Sequence, residues 1–240
     1  AIVHATHEIF ERRAHVTVLR NRMIMPTIDP DSITHPVIRD QINALRAREI
    51  EIVIKDLSFA GQLPCVGAYF ADPHVPADVQ FHHFFKVGAA FDREEALLRV
   101  FTEYTQGRRA HAFGADVEID TIDFRRLPTR ADDADNLLSA FMFGMVPYRQ
   151  ADFLRAGDVV PFAPGVRHAD CLDDIADAKT VVRALGKDYL VIDQTDPAFG
   201  FPVVQVVIPG YSDILPYHPA TSPVLFREWT RADALDRLSS

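Results

Sequence analysis

The chain has 240 residues, 48 % of them hydrophobic, with a formal net charge of −9 and a pI near 5.5. That length and apolar content sustain one large domain or two small ones without a metal or disulfide to hold the core, and the acidic balance excludes nonspecific binding to nucleic acid or an anionic membrane. Cys65 and Cys171 are the only cysteines, no apolar run reaches the roughly 18 residues of a spanning helix, and no charged-then-apolar signal segment opens the chain, so a reducing cytoplasm is the expected location.

Residues 1–22 carry a helical pattern that is mostly apolar at Ile2, Val3, Ile9, Phe10, Val16 and Val18, while Glu8, Glu11 and Arg12 share one stripe at i, i+3 and i+4. Two carboxylates on so apolar a helix are costly to bury unless a cation or a hydrogen-bonding ligand meets them. Arg12 can answer one of them, and a plain ion pair between neighbouring turns is the structural alternative. Ala1 lies inside this pattern with no capping residue ahead of it, which reads as a chain that begins within a longer domain.

Two prolines break the pattern over residues 25–31, and a second helix is expected over 35–48, with Pro36 in its first turn. Three strands follow, at 49–57, 64–70 and 80–87, separated by turns that contain Gly or Pro. The next helix opens at Asp92, with Glu95 three residues on as in a capping box, and Gly107 is its expected stop. On it Arg99, Glu103 and Gln106 fall within roughly 60° of one another, and Leu97, Val100, Phe101 and Tyr104 lie on the far side. One face packs and the other is left to bind. Arg108 and Arg109 directly after it form either a surface charge pair or a phosphate contact.

Residues 108–132 are polar and irregular, 134–145 reads as a short helix, and 150–169, interrupted by Pro and Gly, as loop. A helix over 171–185 and strands at 188–194 and 202–208 complete the order, and the tail is polar. This succession predicts an α+β fold of mixed or antiparallel sheets packed with helices, not a doubly wound parallel sheet.

Other constellations are weaker. His4, His7 and His15 share the first helix with Glu8 and Glu11, but neither HExxH nor the ExxH of di-iron bundles is present. His82 and His83 point to opposite faces of a strand and read as core or surface residues. Cys65 reads as a buried strand residue, and no GxSxG elbow, GxxxxGK[ST] loop or GxGxxG turn occurs.

Three segments together resemble the YcaO family, ATP-using enzymes that activate backbone amides in peptide maturation. Glu8-Ile-Phe-Glu-Arg12 resembles its ExxER helix, the segment from Gly88 to Arg108 its AL-R-TE--QGR helix, and Val206 to Pro216 its VPG-SDI-P strand and loop. The order is that of the family, the middle helix is the specific signal, and the match is expected to be close to the enterobacterial member associated with modification of a ribosomal protein. The resemblance implies a YcaO-like fold and a pocket for ATP and Mg2+. It places Glu8, Glu11 and Glu103 at the metal, Arg12 and Arg99 toward phosphate, and Gln106 as a nearby polar contact. It implies that the amide oxygen of a peptide or protein substrate attacks ATP, with a thiol, hydroxyl or sulfide attacking the amide carbon. A partner protein and a homodimer are further implications. The family also uses a preceding segment with a Gly-Lys-Gly turn and a second carboxylate-bearing helix, which residues 1–240 do not contain, so the chain is expected to be the C-terminal portion of such a domain. It ends without a PxPxP tail, which favours thioamide-type or ribosomal-protein modification over azoline formation. The competing reading is a noncatalytic scaffold or binding subunit of the same fold.

Overall fold

Alternation along the third strand shows how the molecule is layered. Cys65, Tyr69 and Ala71 enter one hydrophobic core and Val66, Ala68 and Phe70 the other, so the strand is buried on both faces. The computed structural model describes residues 1–74, 83–114 and 151–212. Within them the elements are α1 (Ile2–Asn21), β1 (Thr27–Ile28), a 3-10 turn (Pro30–Ser32), α2 (Pro36–Arg46), β2 (Glu51–Asp56), β3 (Cys65–Ala71), β4 (His83–Ala89) and α3 (Arg93–Gly114), followed by α4 (Asp152–Arg155), β5 (Val159–Val160), α5 (Cys171–Ala184), β6 (Leu190–Asp193) and β7 (Val204–Val207). The fold is α+β. A five-stranded sheet has the order β4-β3-β2-β1-β5, antiparallel except where β1 meets β5 in parallel, and β6 and β7 form a separate antiparallel hairpin.

One core packs α1, through Phe10, Ala14 and Val18, onto Tyr69, Phe85 and Val87, with Val182 of α5 and Val206 of β7 closing its outer side. The other packs Ile38 and Ile42 of α2 and Leu97, Val100, Phe101 and Tyr104 of α3 onto Ile54, Phe70 and Phe84. Phe70 and Tyr104 stack with ring centroids 3.9 Å apart. The two long helices therefore sit on opposite faces of the sheet, and β4, its outer strand among the described residues, lies between them.

Lys55 fastens distant parts of the chain. Its side chain is 1 % exposed, and Nζ donates to the carbonyls of Met25 (2.9 Å) and Ala156 (2.5 Å) and to Thr27 Oγ1 (2.8 Å). Burial lowers its pKa to about 8. Arg155 adds a second tie, donating through Nε and Nη2 to Glu51 at 2.8 and 2.9 Å.

Several elements depart from the sequence expectation. Residues 150–169, expected as loop, contain α4 and β5, and the break at 25–31 contains β1. Two-residue strands carry no period for a pattern to reveal. α3 does not stop at Gly107 but continues to Gly114. A Cβ on Gly107 would touch Phe84 at 3.4 Å, so the glycine marks where the helix lies close on the strand, not where it ends. The expected helix at 134–145 and residues 80–82 of the third predicted strand lie outside the described residues. No helix among the described residues is long and apolar enough to cross a membrane.

Candidate functional site

The site forms where α1 and α3 meet past β4. Asp92 begins α3 as the sequence implied, its Oδ1 accepting from the backbone N–H of Glu94 (2.9 Å) and Glu95 (3.3 Å). Gly88 lets the helix approach, since a Cβ there would fall 2.3 Å from the carbonyl oxygen of Ala96. The first turn of α1 and the second turn of α3 touch directly: Arg99 Nη2 donates to His4 Nδ1 at 3.0 Å, and Arg99 Nη1 donates to the carbonyl of Ala89 at 3.4 Å. A turn or more further on, Glu103 of α3 is near enough to Glu11 of α1 that its charge adds to burial in raising the Glu11 pKa.

Glu11 is the centre of this arrangement. It is 8 % exposed, its Oε2 has no hydrogen-bond partner among the described residues, and its pKa is pushed up to about 8, first by burial and then by the charges of Glu103 and Glu8, with Arg99 and Arg12 pulling the other way. Glu103 is half-buried and raised as well, by burial first, against the attraction of Lys86. Glu8 is paired with Arg12 on its own helix, the ion pair foreseen for that stripe. Gln106 is exposed, and the side chains of Arg108 and Arg109 lie outside the described residues.

Lys86 belongs to the site and was missed from the sequence. It is the one charged side chain of β4 apart from His83, and its pKa is lowered by burial, opposed by Glu103 and Glu11. A lysine in the run Phe84-Phe85-Lys86-Val87 was the available signal. Burial also keeps two imidazoles neutral. His7 is lowered to about 4, with Arg99 and His4 adding to the effect, and His15 to about 3, with Lys86 and Arg12 adding.

A buried carboxylate oxygen without a partner, raised in pKa by two further carboxylates, is the environment that a divalent cation relieves. Among the described residues no three carboxylate, imidazole or thiol groups stand close enough to cage an ion by themselves. The donors fit Mg2+ in its usual manner instead, held by one or two carboxylates and completed by waters and phosphate oxygens. Beside these residues, at the N-terminal ends of α1 and α3 and against the loop before α5, opens a cleft of about 560 Å3.

The model of the YcaO family, described as a YcaO cyclodehydratase that binds ATP and Mg2+, matches residues 1–212. A search of curated proteins finds no match. Among solved structures the chain is similar to a heterocyclase in complex with substrate and cofactor, at 22 % identity, TM-score 0.61 and coverage of 88 % of this chain and 26 % of that one. It is also similar to YcaO from Methanopyrus kandleri bound with AMPPCP and Mg2+, at 16 % identity, TM-score 0.59 and coverage of 90 % and 56 %. A third is the E. coli microcin synthetase McbBCD complex with pro-MccB17 bound, at 12 % identity, TM-score 0.54 and coverage of 85 % and 50 %. At these identities the likeness is one of fold, and the chain spans from about a quarter to just over half of the length of these structures.

Proposed function

Because this chain belongs to the YcaO family, we propose that it is part of an ATP- and Mg2+-dependent enzyme that phosphorylates a backbone amide oxygen of a peptide or protein substrate. The oxygen then leaves on phosphate, and a thiol, hydroxyl or sulfide takes its place at carbon, giving a heterocycle or a thioamide. The observation that carries this reading is the buried, partnerless oxygen of Glu11 facing the charges of Glu8 and Glu103 across two helices.

When bound, Mg2+ supplies charge neutralisation to the triphosphate. The chain's residues supply positioning. Glu11 and Glu103 are assigned to the metal, with Glu8 beside them; because Glu11 holds a proton up to about pH 8, cation binding at neutral pH releases it. Arg99 is assigned to phosphate, and its anchorage on Ala89 and His4 orients the guanidinium before a ligand arrives. Arg12, half-exposed and paired with Glu8, is placed to exchange that partner for a phosphate oxygen. Gln106 is assigned as an outer polar contact.

The test is calorimetric titration of Mg-ATP into the 240-residue chain and any longer native form, side by side. Binding is expected, and Glu103→Gln should weaken it by about tenfold or more, roughly 1.4 kcal/mol, while leaving the fold intact. No binding by either form would move the assignment to a noncatalytic member of the fold, and unchanged affinity in the variant would remove Glu103 from the site.

A further inference from the structure

The 560 Å3 cleft shares Arg99 with the carboxylate site but has walls of its own. In its buried part lies His7, 4 % exposed, set edge-on to Phe91 at 5.2 Å between ring centroids, with Nε2 buried and without a hydrogen-bond partner among the described residues. An imidazole nitrogen left in this state carries an uncompensated desolvation cost unless something meets it. On the outer rim stand Glu94, Glu95 and Asp174, for which no ion pair exists among the described residues. Asp92, Arg167 and His168 of the rim are already engaged. Asp92 caps α3 and faces Arg167 at 3.8 Å, and His168 meets Asp177 at 2.8 Å.

A polar inner end that offers an imidazole and a guanidinium, under an apolar wall and an acidic rim, matches a short stretch of polypeptide. Its amide can pair with His7 and Arg99, and a cationic side chain can reach the free carboxylates. We propose that this cleft receives the peptide substrate, with a backbone amide against His7 and Arg99 and an arginine or lysine beside that amide held by Glu94, Glu95 and Asp174. The inference rests on the YcaO reading and deepens it, naming basic sequence as the substrate class. Position supports the link, since His7 directly precedes Glu8 and Arg99 lies one turn before Glu103.

The experiment follows the histidine imidazole signals of the full chain by long-range 1H–15N NMR at 150 mM salt, with His7 assigned through His7→Gln. The probes are acetylated, amidated Gly-Arg-Gly-Gly and Gly-Glu-Gly-Gly. The arginine peptide should shift the His7 signal and bind at least about tenfold more tightly than the glutamate peptide. The double variant Glu94→Lys, Glu95→Lys should abolish or invert that order, whereas Asp40→Lys, a charge reversal on exposed α2, should not. Equal response to both peptides, no response at His7, or equal effects of the two reversals would overturn the proposal. Mg-ATP is titrated into the same samples. ATP binding without peptide discrimination sinks the cleft alone, and discrimination without ATP binding keeps the cleft and sinks the catalytic reading. A His7 shift produced by Mg-ATP and then insensitive to the arginine peptide would assign the cleft to nucleotide and overturn the peptide.

Discussion

Glu11 is a carboxyl whose protonation ties folding to pH. Below about pH 4.5 it is protonated folded and unfolded alike; between there and about 8 only the folded chain keeps the proton, so stability falls as pH rises, by about 1.4 kcal/mol per unit, and the loss is complete above 8. His7 and His15 act in the opposite sense. Their folded pKa values of about 4 and 3 lie below the ordinary 6.5, so their contribution is present above 6.5 and lost as pH falls toward those values. Two imidazoles outweigh one carboxyl on the acid side, and these three groups together put the stability maximum of the ligand-free chain near pH 6.5. Urea unfolding at pH 5.5, 6.5 and 8.5 should show this, and Glu11→Gln should flatten the alkaline side and steepen the acid side, where the two imidazoles then act unopposed. A wild-type midpoint that rises from pH 6.5 to 8.5 would contradict the assignment. At this scale the sequence was informative wherever helical spacing groups residues, as for Glu8 with Glu11 and Arg12 or Arg99 with Glu103. It was mute on Lys86, which reaches the site from a strand, and on the partnerless nitrogen of His7, which only the meeting of two helices creates.

The docking of α3 on β4 depends on two glycines of opposite tolerance. At Gly88 a Cβ would meet the Ala96 oxygen at 2.3 Å and Val100 Cγ2 at 3.1 Å, so Gly88→Ala forces the helix outward and should cost about 1–3 kcal/mol. It should weaken Mg-ATP binding too, because Arg99 and Glu103 move with the helix. At Gly107 the nearest atom, Phe84 Cε1, is 3.4 Å from the built Cβ, an ordinary contact. Gly107→Ala should therefore keep or raise the urea midpoint, by up to about 1 kcal/mol from helix propensity. Equal destabilisation by the two changes would refute this view of the interface. The same pair shows where element-level reading succeeds and fails. The helices α1, α2, α3 and α5 and the strands β2 and β3 were legible, whereas a glycine late in a helical pattern reads as a stop until the strand it rests on is known.

For the molecule as a whole, the pairing of β1 with β5 brings residues 27 and 28 beside 159 and 160, a parallel contact across more than half of the chain that local pattern cannot announce. Lys55 is its fastener, and Lys55→Met would leave the carbonyls of Met25 and Ala156 and the hydroxyl of Thr27 without their shared donor. We expect a loss of roughly 3 kcal/mol, with hydrogen exchange accelerating first at the amides of Thr27 and Asp29, which donate to Asp158 and Val160. Uniform exchange across all strands would argue against a local fastening role. The α+β class was nonetheless readable, because long helices separated by hairpin-spaced strands leave few other layer arrangements.

The division into two cores has a mechanical consequence. α1 is rooted in one core and α3 in the other, so a ligand grasped by Glu11 on one side and by Arg99 and Glu103 on the other acts as a reversible cross-link across the sheet's outer strand. Occupancy would then stiffen both faces together and raise the unfolding temperature with ligand concentration. An empty site leaves the two helices held mainly by their own packing.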